Sequence, residues 1–116
     1  MRYMIIVKAN SDSEAGVMPG NDVIEGMGRF NEKLIASGML VAAEGLQASS
    51  TGARVRYDKG QISVIDGPFA EAKELIAGYW IVDVKSRDEV IGLATELMRQ
   101  VRFEDGEELE IRKVFE

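Results

Sequence analysis

Two stretches of this chain are apolar on both of their alternating faces, and they constrain its fold more than any other feature. In Tyr3 to Lys8, Tyr3, Ile5 and Val7 form one set and Met4 and Ile6 the other. Tyr79 to Val84 is apolar on both sets apart from Asp83. A strand with two apolar faces belongs in the interior of a sheet with both faces covered.

The remaining elements fall into order around these two strands. Asn10 to Asn21 reads as a loop rich in Ser, Asp, Gly and Pro. Asp22 and Glu25 resemble a capping box that starts a helix. Val23, Met27, Phe30 and Leu34, with Ile24 and Ile35, form its apolar stripe, and Gly38 stands where a left-handed cap belongs. Gly26 and Gly28 each cost this helix roughly 1 kcal/mol against Ala. Met39 to Gln47 is a second strand and Ala48 to Gly52 a polar loop. Ala53 to Tyr57 and Gln61 to Ile65 form a hairpin around Asp58-Lys59-Gly60, with Gly60 suited to a bulged turn. A turn-rich stretch, Asp66 to Leu75, leads into the second central strand. Ser86-Arg87-Asp88-Glu89 is a full capping box. The helix behind it runs to about Gln100, with Val90, Ala94, Leu97 and Val101, plus Ile91 and Met98, facing the core. Leu109 to Phe115 alternates as a last strand.

The order is β-α-β, a hairpin, then β-α-β. With the hairpin as an insertion, this is an α+β fold of the ferredoxin-like split β-α-β type in one domain, residues 1–116. That topology places the first and third principal strands at the centre, and those are the two strands apolar on both faces. Two helices cover one face of such a sheet. The other face is left apolar, and a second copy of the chain is its expected cover, giving a homodimer. The competing arrangement has the hairpin and the following loop fold back over it.

Composition removes whole classes of chemistry. The chain has no cysteine and no histidine. Disulfides, thiolate metal sites and a Cys nucleophile are excluded, and ordinary zinc sites and His acid/base chemistry lack their usual residue. The formal net charge is −6, and Arg54 and Arg56 with scattered lysines make no basic face for nucleic acid. No apolar run reaches the roughly 20 residues of a membrane helix, and Met1 to Val7 is too short for a signal peptide, so a cytoplasmic location is the expectation. Gly26-Met27-Gly28 lies inside a helix and is no dinucleotide fingerprint. Ser49 to Gly52 lacks the Lys and helix start of a phosphate loop, and Glu104 to Glu108 is too compressed for a calcium loop. No cofactor motif is present.

The run Asp66-Gly67-Pro68-Phe69-Ala70-Glu71, followed by Lys73-Glu74, resembles the signature of the YCII-related (DGPF-domain) family. Arg2 to Val7, Glu44-Gly45-Leu46, Gly78-Tyr79 and Glu110-Ile111-Arg112 match it as well, so the resemblance covers nearly the whole chain. It implies a dimeric α/β-barrel of ferredoxin-like subunits. Related barrels include monooxygenases and isomerases that use the cleft between sheet and helices, but a fold does not carry its chemistry with it. Some relatives are associated with a His–Asp pair, one branch being a dehydrochlorinase. Asp66 matches the acid, yet no His completes the pair, so that mechanism is not carried over. Many members of the branch have Cys-Pro near the end of the second helix, where this chain has Met98-Arg99-Gln100-Val101.

Candidate residues each carry two readings. Asp66, at a strand end beside a Gly-Pro turn, suits a general base; equally, Asp at a turn start accepts backbone N–H bonds. Glu44 lies in a mostly apolar strand, where desolvation would favour its protonated form and an acid/base role, or it pairs with a cation at a sheet edge. If Glu44 and Asp66 converge they make a two-carboxylate site. Glu71 and Lys73 read as ligand contacts or as a solvated charged turn. Tyr79 and Trp80 point to opposite sides of one strand, and Tyr79 is the candidate pocket wall. Phe69 reads as a core plug or a ligand contact. The expectation is a small organic ligand, polar aromatic or oxo, with carboxylate-based lyase- or isomerase-like proton transfer. The alternatives are a non-catalytic partner module, as accessories to sigma-factor-type regulators would be, and a cofactor-free monooxygenase.

Overall fold

The computed structural model describes residues 1–116. Its strands are β1 (Arg2–Lys8), β2 (Leu40–Gly45), β3 (Ala53–Asp58), β4 (Gln61–Asp66), β5 (Ile76–Asp83) and β6 (Leu109–Lys113). Four of them form an antiparallel sheet in the order β2-β5-β1-β6. The two doubly apolar strands, β1 and β5, are central, as the split β-α-β topology requires. β3 and β4 form a separate two-stranded ribbon.

Helices α2 (Asn21–Ala36) and α3 (Arg87–Gln100) cover one face of the sheet. The core lies between them: Tyr3 and Ile5 from β1, Trp80 and Val82 from β5, Phe30 and Leu34 from α2, and Val90, Leu93 and Leu97 from α3. Phe30 meets Trp80 edge-on, with ring centroids 5.4 Å apart and planes at 84°, the arrangement aromatic quadrupoles favour. Each fully buried apolar side chain here is worth about 1.5–3 kcal/mol. Gly26 is buried, and a Cβ on it would stand 2.7 Å from Cγ2 of Val101. That close approach accounts for a glycine inside α2. No neighbour lies within 4 Å of a Cβ on Gly28, and nothing in the structure explains it.

Local structure departs from the sequence reading at several points. α2 begins at Asn21 behind Gly20, with no side-chain cap, so Asp22 and Glu25 form no capping box. Instead a box closes one turn of helix, α1 (Ser11–Glu14), inside the expected loop: Asn10 Oδ1 accepts from Ser13 N–H and Ser13 Oγ from Asn10 N–H. Ile24 and Ile35 flank the stripe of α2 and are exposed, and Phe115 lies beyond β6 and is fully exposed. Leu93, rather than Ile91 or Met98, joins the buried face of α3. Half of its expected capping box forms: Ser86 Oγ accepts from Glu89 N–H, while the Glu89 carboxylate turns to Lys85 N–H. The far end of α2 behaves as expected, with Gly38 at φ 73° and Met39 N–H bonded back to Leu34 C=O.

The ribbon turns through two residues, not a bulge. Asp58 pairs with Gln61, leaving Lys59 and Gly60 at φ 50° and 79°, a type I′ turn whose twist matches the strands. Every residue from Thr51 to Val64 is exposed, so the ribbon does not fold back over the sheet. The uncovered sheet face carries Met4, Ile6, Tyr79 and Ile81, each half-buried.

Candidate ligand cleft

One end of the sheet opens into a cleft of about 1290 Å³. Its walls come from the ends of β1, β2 and β5, the first turns of α2 and its preceding loop, and the segment after α3. It reaches from the helix-covered side, where Val23, Met27 and Trp80 lie, to the uncovered side, where Lys8, Glu44 and Tyr79 stand. Glu44 and Tyr79 are register partners on β2 and β5, so the ladder fixes their proximity. Glu44 is exposed and Tyr79 half-buried. Gly78 lets the strands approach closely beside them, since a Cβ there would lie 2.9 Å from the Glu44 carbonyl oxygen.

On the covered side, Trp80 Nε1–H donates to Asn31 Oδ1 at 2.6 Å. That bond satisfies the indole N–H, and Asn31 itself lines the cleft. Lys8 bonds Glu110 at 3.0 Å, and Arg112 reaches the same carboxylate at 3.2 Å. The Lys8 hydrogen bond first, and then that of Arg112, holds the Glu110 carboxyl below its ordinary pKa.

The Asp66–Glu71 loop is built differently. Gly67 N–H donates to Gly52 C=O at 3.0 Å, and the Gly67–Pro68 peptide is cis. Phe69 N–H donates to Ser49 Oγ at 3.0 Å. Ser49 in turn gives its N–H to Glu14 Oε2 at 2.8 Å and its hydroxyl proton to Glu14 Oε1. The Ser49 hydroxyl bond, followed by its N–H bond, lowers the Glu14 pKa. The donor that a phosphate nest would offer at Ser49 is therefore taken by a carboxylate of the chain itself. Phe69 is half-buried beneath Arg54, whose guanidinium carbon sits 3.8 Å from the ring centroid.

The sequence-derived candidates thus divide. Glu44 and Tyr79 share the cleft wall. Asp66 stands at the root of the ribbon, opposite Ala53, with an exposed side chain. Glu71 and Lys73 are exposed on the loop. None of Asp66, Phe69, Glu71 and Lys73 lines the cleft. Asn31 and Glu14 escaped the sequence reading, and Ser49 entered it only as part of a weak phosphate-loop match, not as the partner of Glu14. Asn31 was hidden as a polar residue beside an apolar stripe. The Glu14–Ser49 contact was hidden because only the fold joins positions 35 apart in sequence. The Asn10–Ser13 spacing was the one available signal for α1.

An α+β domain with an open cleft at one end of a ferredoxin-like sheet is the class that fold and cleft define. The YCII-related domain model matches residues 1–114, and the chain belongs to that family. It is also similar to an uncharacterized protein of Rhizobium meliloti (strain 1021), 32% identical over 75 residues, which are 65% of this chain and 60% of the relative. The chain thus spans less than two thirds of the length of the curated relative it matches. No helix is long and apolar enough to cross a membrane.

Proposed function

We propose that the protein binds a small organic molecule in the cleft at the end of the sheet, with Glu44 as its proton-transferring carboxylate and Tyr79 orienting the ligand. The observation that carries this reading is the register pairing of Glu44 with Tyr79 on the cleft wall. Pockets that hold small molecules combine apolar walls with a few placed polar groups. Trp80, Met27 and Val23 supply the first here, and Glu44, Tyr79 and Asn31 the second. A polar aromatic or oxo compound fits that mixture. Any turnover is elimination or isomerisation by proton transfer, with Glu44 within reach of the transferred proton.

The Asp-Gly-Pro-Phe loop enters this reading as scaffold. Its backbone is tied to Ser49 and Gly52, and the neighbouring Ala48, Ser50 and Thr51 line the cleft. Asp66 acts on a ligand only if a second chain brings one to it, and the loop contacts from Phe69, Glu71 and Lys73 carry the same condition. The working unit in this reading is a homodimer whose uncovered sheet faces pack together into an α/β-barrel. Met4, Ile6, Tyr79 and Ile81 would form the seam, and the partner would narrow the cleft on its open side.

The single tryptophan, Trp80, lies on the cleft wall, so its fluorescence tests the reading directly. Titration with a panel of aromatic aldehydes, ketones and carboxylic acids should give saturable quenching by at least one compound, with a rise in melting temperature. Glu44→Gln should weaken that binding or abolish turnover, and Asp66→Asn should leave it unchanged. Quenching that is linear across the whole panel, with no thermal shift, would sink the proposal.

A further inference from the structure

A second opening lies apart from the cleft, between α3 and β6 on the helix-covered side of the sheet. It is a groove of about 510 Å³. Its floor is apolar, built by Ile91 of α3 and by Leu109 and Ile111 of β6. Three polar side chains gather at one end. Tyr3 is the register partner of Lys113, so both leave the sheet on the same face. Val84 N–H donates to Met1 C=O at 2.8 Å, and Val114 N–H to Arg2 C=O at 2.9 Å. Those bonds bring the start of α3 and the end of β6 to either side of the first residues of β1. Arg87, the first residue of α3, therefore stands at this end, one turn before Ile91 on the same helix face. Tyr3 is 6% exposed. Its hydroxyl has one partner, the Met1 thioether at 4.0 Å. A thioether is a weak acceptor, and buried polar groups as a rule hold a stronger one.

We propose that this groove binds a small organic acid, its carboxylate held by Tyr3, Arg87 and Lys113 and its apolar body lying along Ile91, Leu109 and Ile111. The Tyr3 O–H donates to a carboxylate oxygen, and the two cations balance the charge. Both cations are free to do so. The ion pairs of the chain join Met1 to Asp83, Arg2 to Glu116, Lys33 to Glu96, and Lys8 and Arg112 to Glu110, and they leave Arg87 and Lys113 out. The neighbouring carboxylates do not cancel them. Glu110 is paired with Ile6 in register, so its side chain leaves the sheet on the uncovered face, where Lys8 and Arg112 hold it. Glu108 lies at the far end of the groove from Lys113, on the order of 15 Å away along extended chain. Asp88 and Glu89 follow Arg87 but do not line the groove, and the Glu89 carboxylate accepts from Lys85 N–H. An apolar floor with a few converging polar groups is the composition of small-molecule pockets, and the volume falls within their range of roughly 300–1,000 Å³. That floor selects an organic acid over inorganic phosphate. The groove shares no residue with the cleft of Glu44 and Tyr79, so the inference stands apart from the proposed function.

Benzoate and hexanoate serve as probes, titrated into the isotope-labelled full chain and followed by its amide chemical shifts. Saturable shifts should cluster at Tyr3, Arg87, Ile91, Ile111 and Lys113. The paired Arg87→Gln and Lys113→Gln variant should weaken binding by about tenfold or more, because its charge-assisted bonds are lost. Tyr3→Phe keeps the ring in the core and should weaken binding by about fivefold. Arg99→Gln, at an exposed cation elsewhere on α3, and Glu44→Gln in the cleft should leave it unchanged. Shifts confined to the residues around Trp80 would overturn the proposal. So would shifts that stay linear with both acids, or equal binding of benzyl alcohol or inorganic phosphate in the groove. If the paired variant loses its folded spectrum, Tyr3→Phe and the comparison of benzoate with benzyl alcohol decide.

Discussion

The carbonyl oxygen of Ser49 stands where a side chain on residue 67 would begin: a Cβ on Gly67 would lie 1.8 Å from it and 2.6 Å from the carbonyl carbon. Both atoms are backbone, in a turn that Glu14 also grips. Neither can swing away as a side chain could. The glycine of the family signature is therefore required by packing between two loops, independently of any chemistry.

Gly67→Ala should accordingly cost about 1–3 kcal/mol or more, the range for forced overpacking. Gly28→Ala should do the reverse. Its Cβ meets nothing within 4 Å and its backbone is helical, so a gain of about 0.4–1 kcal/mol is expected. Urea unfolding of the two variants against wild type checks both signs in one experiment.

Glu14 should make the loop junction sensitive to acid. The Ser49 bonds hold its carboxyl below the ordinary value of 4.5. Between the folded and unfolded pKa values the unfolded chain binds more protons, so stability rises with pH through that window. The contribution is complete above 4.5 and is lost as the pH falls through the folded value. Glu14→Gln should be less stable than wild type at neutral pH, and the gap should close under acid. Glu110 is lowered as well, by Lys8 and Arg112. Its variant Glu110→Gln should show the same sign of pH dependence with stronger loss in salt, because its partners are ions.

The Trp80–Asn31 bond predicts a linked pair of effects. Asn31→Ala leaves the indole N–H without its partner and should cost about 1–3 kcal/mol, less if water enters from the cleft. Phe30→Ala removes the edge-on ring beside Trp80 and should cost about 3–5 kcal/mol. Tryptophan emission should shift in both variants, and quenching by acrylamide should increase most for Phe30→Ala.

Asp66→Asn should change stability by no more than about 0.5 kcal/mol, as exposed substitutions usually do. The bonds that hold the loop come from Ser49, Glu14 and Gly52 rather than from this carboxylate. A large loss in chemical unfolding would restore Asp66 as the turn's organiser.

Much of the fold could be read from residue order. The double-faced apolar character of Tyr3–Lys8 and Tyr79–Val84 is a local property, and it specified the two central strands. Gly38 specified the end of α2 in the same way, because a glycine that takes the left-handed conformation suits a helix terminus. The start of α2 was misread for a physical reason. Asp22 and Glu25 have the right spacing, but Gly20 supplies the extended backbone first, and α1 takes the true capping box one segment earlier.

The site was legible only in part. Glu44 and Tyr79 were recognisable as a carboxylate in an apolar strand and an aromatic beside a buried one, and strand pairing brought them together. Asp66 was attractive because it opens a signature, yet sequence adjacency to a signature carries no information about which cavity a side chain reaches. The sequence by itself determined the six strands and two long helices, their order and the two strands that must be central, since these follow from periodicities of two and 3.6 residues. Only the tertiary structure decided that the signature loop is held by Glu14 and Ser49, that Asn31 holds Trp80, and that the ribbon stands bare. Those are contacts between segments far apart in the chain, and no local pattern encodes which distant backbone will arrive beside it.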